Sequence, residues 1–569
     1  MDKNIKNINA RTITLTILFV LILVVIALLI GKFSYSYLAP TVSDDVEGSG
    51  EVTASGDTII FTKGNTLSLS ANSDNFTTGG SNLTSTTNPK VKLMASSKTN
   101  SASSKYFAGI IIKNNTYSYT TTDKKPEVIL TVKDENGNIV ESSADNLTFV
   151  TVNDNLKGFD ITGVNGAFNI VTDHVIATSS NKSEVIHTWT FILTFVNLGT
   201  DQANNENASL EMDVVLQKDK IPTSIADVCT SGDNLNDCVV SSYKELGDMS
   251  NIYYHDSNLT NGAGDNSYRF AGENPNNYVC FGSRDATCPA DNLYRIIGVF
   301  GDKVKLIKSD YATTALLGGD GDYKQAYTAT GYDSSNYKGN NLANIAAYNW
   351  NKSNQNTWSL SNLNKTNLNT NFITNIGADW AAKIAETTWK VGGNTWANIA
   401  DQRAKTAYQN EIVNPVTKNS QDNKTEYSAK IGLMYVSDYM YAAPQDKWTL
   451  VGWNSDASKD YRAATSANWM YMGLYEWTIS RTADNSYNAF GVHSTGYVNF
   501  SHVGTYAFGA RPVFNLSSSV NYASGSGSAT DPIVVNWLTD NFEKTSIKTK
   551  KNEVNSSTYV ERFASFFEL

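Results

Sequence analysis

Residues 13 to 30, ITLTILFVLILVVIALLI, carry no charge and no proline, and they leave the start of this 569-residue chain few options. At about 1.5 Å of rise per helical residue the run spans roughly 27 Å, close to the thickness of a bilayer's hydrocarbon core. Residues 31–33 complete the crossing. Lys3, Lys6 and Arg11 precede the run, so the positive-inside rule predicts a cytoplasmic segment over 1–12, a transmembrane helix over 13–33 and everything beyond outside the cell. The alternative is a cleaved signal segment, because Ser34-Tyr35-Ser36 offers small residues at a cleavage-like spacing, and the protein would then be secreted. An apolar core of this length exceeds the usual signal core of about 7 to 15 residues, which favours an anchor. The membrane is thus the one partner expected at this end.

Beyond the anchor the chain is long enough for several domains. Charged residues are 18% of the sequence, and the surface vocabulary is Asn, Ser, Thr, Tyr and Gly, which predicts a mostly β extracellular protein. The net charge of −10 is spread without basic blocks, which excludes nucleic acid as a natural partner. Four cysteines occur as Cys229 with Cys238 and Cys280 with Cys288, each pair flanking a short Asn-, Asp-, Gly- or Ser-rich loop. Local disulfides are the first reading, in keeping with an exterior location, and a crossed pairing stays open. Zinc would want closer cysteine pairs or nearby histidines.

Turn chemistry divides the chain. Residues 34–55 read as a stalk, 56–217 as a β-sandwich, 218–225 (KDKIPTSI) as a linker, 226–536 as a larger disulfide-bearing α+β module, and 537–569 as a loosely held tail. In the sandwich, Trp189, Phe191, Leu193 and Phe195 alternate with polar neighbours, as do Leu210, Met212, Val214 and Leu216; each stretch predicts a strand with one buried face. Asn136-Gly137 predicts a tight hairpin. His174 and His187, with no cysteine or paired carboxylate at a recognisable spacing, read as ordinary strand residues. In the larger module, Gly301-Asp302 is expected to turn between strands 293–300 and 303–308. Residues 358–372 and 378–386 read as helices, and strands return from Ile431. Nine of the eleven tryptophans fall between Trp350 and Trp477, which places the aromatic core there.

Four short motifs carry a resemblance. Trp-Ser-x-Ser-x-Leu at 358–363, Leu-Asn-x-x-Phe at 368–372, a Trp-x-x-Ser-Arg strand at 477–481 and a closing Gly-x-Arg-Pro-x-x-x-Leu, formed by Gly509, Arg511, Pro512 and Leu516, occur in this order. With them, roughly residues 265–536 resemble a bacterial domain of unknown function related to formylglycine-generating-enzyme and C-type-lectin-like folds. The resemblance implies a surface protein with an N-terminal anchor and a lectin-like head that binds a glycan or a protein. The sandwich is similar, more loosely, to the camelysin-like β-sandwiches of matrix and spore-surface proteins. Sulfatase-activating oxygenases of the related fold hold copper on cysteines of the C-terminal core; here every cysteine precedes residue 289, so that chemistry is not carried over and no cofactor is expected.

No serine-nucleophile elbow, zinc-protease motif or phosphate loop is present. Asp320 and Asp322 in GGDGDY read as a turn rather than a calcium loop. Trp469, Tyr471, Tyr475 and Trp477 are expected to share one strand face and to be core, with Trp469, Trp477, Arg481 and Arg511 structural and the arginines tying loop carbonyls or Glu476 into the fold. Tyr487, Asn488, His493, Tyr497, Asn499 and His502 crowd around the turn Ser494-Thr495-Gly496 without a core pattern. That mixture of rigid rings and amide groups suits a ligand-contacting tip. The expected function is therefore non-catalytic recognition. A structural matrix subunit is one rival, and an enzyme acting on a glycan or cell wall through acids such as Glu476 and Asp484 is the other.

Overall fold

The structure is a computed structural model and describes residues 49–54, 57–76, 82–96, 101–179, 183–395, 402–415 and 425–536. The predicted anchor at 13–33, residues 34–48 of the predicted stalk and the tail at 537–569 lie outside the described residues, whereas residues 49–54 of that stalk are not a linker but the strand Ser49–Ala54, paired antiparallel with Asp57–Thr62. Among the described residues no helix is long and apolar enough to cross a membrane. The protein is mostly β, with several sheets, and divides into two compact units between Ile221 and Pro222.

The N-terminal unit has two β layers around one core. Strands Leu83–Thr87 and Lys90–Met94 follow one another and pair antiparallel with Thr190–Phe195 and Glu184–Thr188, so the ladder runs on across a bend at Pro89 and Trp189. Strands Ser49–Ala54 and Asp57–Thr62 extend this layer on one side, and Val128–Lys133, Leu156–Asp160 and Phe149–Asn153 on the other. The second layer runs Gly166–Ala177, Ser103–Asn115, Ser209–Gln217, Leu67–Ser70. Trp189, Phe191, Leu193 and Phe195 enter the core together with Leu210, Met212, Val214 and Leu216, as strict alternation requires.

Two local expectations for this unit change. The turn at Asn136-Gly137 is not a two-residue hairpin. Asp134 accepts the N–H groups of Asn136 and Asn138, Gly137 alone takes positive φ (+83°), and the returning chain bonds back from Asp134 N–H to the Asn138 carbonyl and from Val140 N–H to the Val132 carbonyl, so the tight hairpin has a three-residue loop. The linker at 218–225 is also not free: Asn169 brackets Ile221, accepting its N–H and donating to its carbonyl.

The C-terminal unit is built on a nine-stranded sheet whose centre is the hairpin Leu293–Phe300 and Lys303–Lys308. Gly301 turns at φ +64° while Asp302 keeps negative φ, the hand that matches strand twist. Helix Leu235–Leu246, capped by Asn234 and ended by Gly247, packs on this sheet, and the last described strand, Ile533–Asn536, returns parallel to Tyr278–Cys280. A second sheet of four strands runs Gly393–Asn394, Glu476–Thr482, Asn488–Val492, Val498–His502. Both disulfides are local, Cys229–Cys238 and Cys280–Cys288.

Tryptophans fill the core between these layers. The indole N–H groups of Trp350, Trp389, Trp448, Trp469 and Trp477 each donate to a backbone carbonyl, so burying the rings leaves none of these five donors unmade. The predicted helices are more broken than their spacing suggested. Residues 358–372 form a 3₁₀ turn and a π-helix, Leu363–Phe372, and the second helix stops at Ala381, after which Trp389 lies on a strand, Thr387–Lys390. After Ile431–Gly432 the chain is helix and turns until Glu476, so Trp469, Tyr471 and Tyr475 do not share a strand face with Trp477. Asp322 is buried and accepts the N–H groups of Lys352, Asn362 and Leu363. Donors aimed at both its oxygens make it an anchor for the start of the π-helix and not a calcium ligand.

Candidate recognition surface

The hairpin Asn488–Val492 and Val498–His502 carries all six predicted contact residues, and its register separates them. Asn488 pairs with His502 at the open end and Val492 with Val498 at the turn, four residues or about 13 Å away. The six residues therefore do not form one cluster. His493, Tyr497 and Asn499 gather at the turn, where Asn499 hydrogen-bonds the Tyr497 hydroxyl. Tyr487 and His502 stack at the other end, 5.1 Å apart. Asn488 is buried, its backbone carbonyl held by Asn356 and Thr482, and faces no ligand.

The turn is not a loose tip either. Ser494 is 2% exposed, and its carbonyl accepts from Tyr471 and Asn336, while Tyr439 donates to the carbonyl of Gly496. Gly496 sits at φ +96°, and a Cβ there would lie 2.2 Å from Thr465. Three side chains thus fasten the turn to the body of the unit, which makes the surface beside it rigid.

A line of rings runs across that surface. His493 stacks on Tyr497 (4.3 Å, 18°) and meets Tyr475 at 4.0 Å; Tyr475 meets Tyr332 at 4.7 Å and Phe508 at 5.1 Å; Phe508 leads to Tyr506. Most of these rings are half-buried, and one end stands out: Tyr506 is 43% exposed. At the turn end, Arg462, gripped by Asp460, lies 5.2 Å over the Tyr497 ring. Burial, with Arg462 nearby, pulls His493 down to about 4, so its imidazole is neutral in physiological conditions. Tyr332, Tyr475, Tyr506 and Arg462 are the members that the sequence pattern does not group here. They come from three other segments, and only the density of tyrosine hints at them.

The predicted structural residues are buried. Trp469 donates to the Phe270 carbonyl, Trp477 to that of Tyr348, Arg481 lies in the strand Glu476–Thr482, and Arg511 pairs with Glu476. Glu476 therefore has neither exposure nor a free oxygen with which to serve a substrate, which removes it as the acid of a glycan-cleaving pair with the exposed Asp484.

Among the described residues one grouping could hold a metal: Glu135, His174 and His187 in the N-terminal unit. The histidines are thus not ordinary strand residues without a carboxylate. The carboxylate arrives from a turn 39 residues before His174, a separation no spacing rule detects.

No protein-family model matches the chain, and neither a curated protein nor a solved structure matches it.

Proposed function

We propose that this protein is a membrane-anchored extracellular recognition protein whose C-terminal unit is a non-catalytic head for a glycan or a surface protein. The observation that carries the reading is the line of rings from Tyr497 to Tyr506, held rigid by the fastened turn and edged by Arg462. Flat, half-buried rings with polar edges offer stacking area at little entropic cost, the property that sugar-binding and protein-binding sites share. The order of motifs from Trp358 to Leu516 supports a relation to formylglycine-generating-enzyme and C-type-lectin-like folds, and the apolar run at 13–30 supports an anchor that presents the head outside the cell.

The test is a glycan and surface-protein array probed with the oxidised chain, residues 49–536, beside a His493→Ala/Tyr497→Ala variant. Saturable binding by the wild type and its loss in the folded variant is the expected result. A well-folded wild type silent across the array sinks the reading.

A second reading, a structural matrix subunit, draws on Val175 and Ile186, each half exposed on a different β layer of the N-terminal unit. Concentration-dependent fibres formed by residues 45–220 alone would favour it.

A further inference from the structure

Glu135, His174 and His187 bring three donor atoms within 4.8 Å of one another. His174 Nε2 lies 3.0 Å and His187 Nδ1 3.9 Å from the same oxygen, Glu135 Oε2. Each residue comes from a different place: Glu135 from the turn after Val128–Lys133, His174 from the strand Gly166–Ala177 in one layer, His187 from the strand Glu184–Thr188 in the other.

The meeting is built by a bulge. Between Val171 and His174 the strand carries one more residue than its partner, with Asp173 at φ +53°, and the register shift sets His174 opposite Tyr106. A bulge bends a strand and re-aims the side chain that follows it. Without an ion, the ring nitrogen of His187 nearest Glu135 is hydrogen-bonded by a tyrosine. The Trp189 indole donates to the Tyr106 hydroxyl oxygen at 2.8 Å, which turns the tyrosine proton toward His187 Nδ1, 2.9 Å away. Rings of Tyr106 and Trp189 close on His174 at 5.3 and 5.0 Å. The imidazoles are thereby held by aromatic walls, and the side chains keep 24% (His174), 11% (His187) and 19% (Glu135) of their exposure, enough for an ion to enter.

We propose that Glu135, His174 and His187 form a binding site for a divalent transition cation of the zinc class, which clasps the two β layers of the N-terminal unit. Two imidazoles and one carboxylate are borderline ligands that suit Zn²⁺ and its neighbours better than Ca²⁺ or Mg²⁺. Metal–ligand bonds of about 2.0–2.1 Å at tetrahedral angles separate donor atoms by about 3.3 Å, a value that the 3.0 and 3.9 Å separations bracket. Binding displaces two hydrogen bonds, that from Tyr106 to His187 Nδ1 and that between His174 Nε2 and Glu135 Oε2.

The experiment uses the full chain in detergent, stripped with chelator and titrated with Zn²⁺ by calorimetry and with Co²⁺ by visible absorption. One Zn²⁺ per chain, a tetrahedral Co²⁺ spectrum and a raised unfolding temperature of the N-terminal unit are expected. Glu135→Gln should weaken binding at least tenfold and His174→Gln should abolish the Co²⁺ spectrum, while Glu211→Gln, an exposed carboxylate elsewhere in the unit, should change neither. Should a site variant misfold, the wild type alone decides: Zn²⁺ should protect His174 and His187, but not His502, from diethyl pyrocarbonate. Absence of Zn²⁺ binding, an unchanged Co²⁺ spectrum in a folded His174→Gln chain, or equal labelling with and without Zn²⁺ overturns the proposal.

Discussion

Arg511 holds Glu476 with a two-pronged grip, Nε to Oε1 at 2.7 Å and Nη2 to Oε2 at 2.9 Å, and both side chains are buried. Nη2 also donates to the Met470 carbonyl, so the pair fastens the segment before the strand Glu476–Thr482 to the Gly-x-Arg-Pro stretch. Breaking one partner strands a charge in the core. Arg511→Met is expected to cost about 3–5 kcal/mol, and Arg511→Met with Glu476→Met less than that single change, because no charge is then left unpaired. Urea unfolding of the four species measures this; additive costs would mean that the pair is not coupled.

Glu411 supplies a pH dependence. Fully buried, it accepts from Ser480 and from the N–H groups of Val436 and Ser437, yet burial lifts its carboxyl to about 7. A raised acid contributes stability that is fully present below the unfolded value of about 4.5 and is lost as pH rises through about 7. The loss is on the order of 3 kcal/mol, since each tenfold difference in proton affinity between the folded and unfolded chain is worth about 1.4 kcal/mol. In the pH window from about 4.5 to 7 the wild type should therefore lose stability relative to Glu411→Gln. Parallel stability curves for the two proteins across that window would refute the assignment.

The two ends of the recognition hairpin can be tested separately. For an extended ligand, Tyr497→Ala and Tyr487→Ala should each weaken binding about tenfold, by the stacking energy of one ring. For a compact ligand only one of them should. Since His493 is held down to about 4, affinity should stay level between pH 5 and 8. A break near pH 6.5 that persists in a His502→Gln chain would show that the His493 imidazole is not buried as described.

Each disulfide closes a short loop, with sequence separations of 9 and 8. Replacing either pair with serine should cost about 2–3 kcal/mol by loop-closure entropy. Cys280 also pairs with Val534 on the last described strand. Loss of Cys280–Cys288 should therefore speed hydrogen exchange in Ile533–Asn536 more than loss of Cys229–Cys238 does, since the latter's loop reaches that strand indirectly, through Tyr522 on its neighbour. Equal exchange in both variants would argue against that coupling.

Local patterns are legible because they are set by neighbours in the chain. Gly301 marks its turn through a positive φ that few other residues adopt, and the alternation from Trp189 to Phe195 marks its buried face through the two-residue period of a strand. Residues 358–386 are not legible in the same way, because Leu, Phe and Trp at helical spacing cannot tell a continuous helix from a 3₁₀ turn, a π-helix and a strand in succession. Asp322, taking N–H groups from residues 352, 362 and 363, helps to decide that.

The sequence by itself determined the β-rich character, the cysteine pairs that lie close enough to close on themselves, and the aromatic core, since composition, short-range spacing and strand periodicity are properties of adjacent residues. Only the tertiary structure decided which side chains meet. The register of residues 488–502 split one expected site into two ends, a bulge at Asp173 turned His174 toward His187 and Glu135, and Tyr439, Tyr471 and Asn336 fixed a turn from far along the chain. Those meetings depend on strand pairing between distant segments, and a one-residue change of register there moves a side chain to the opposite face.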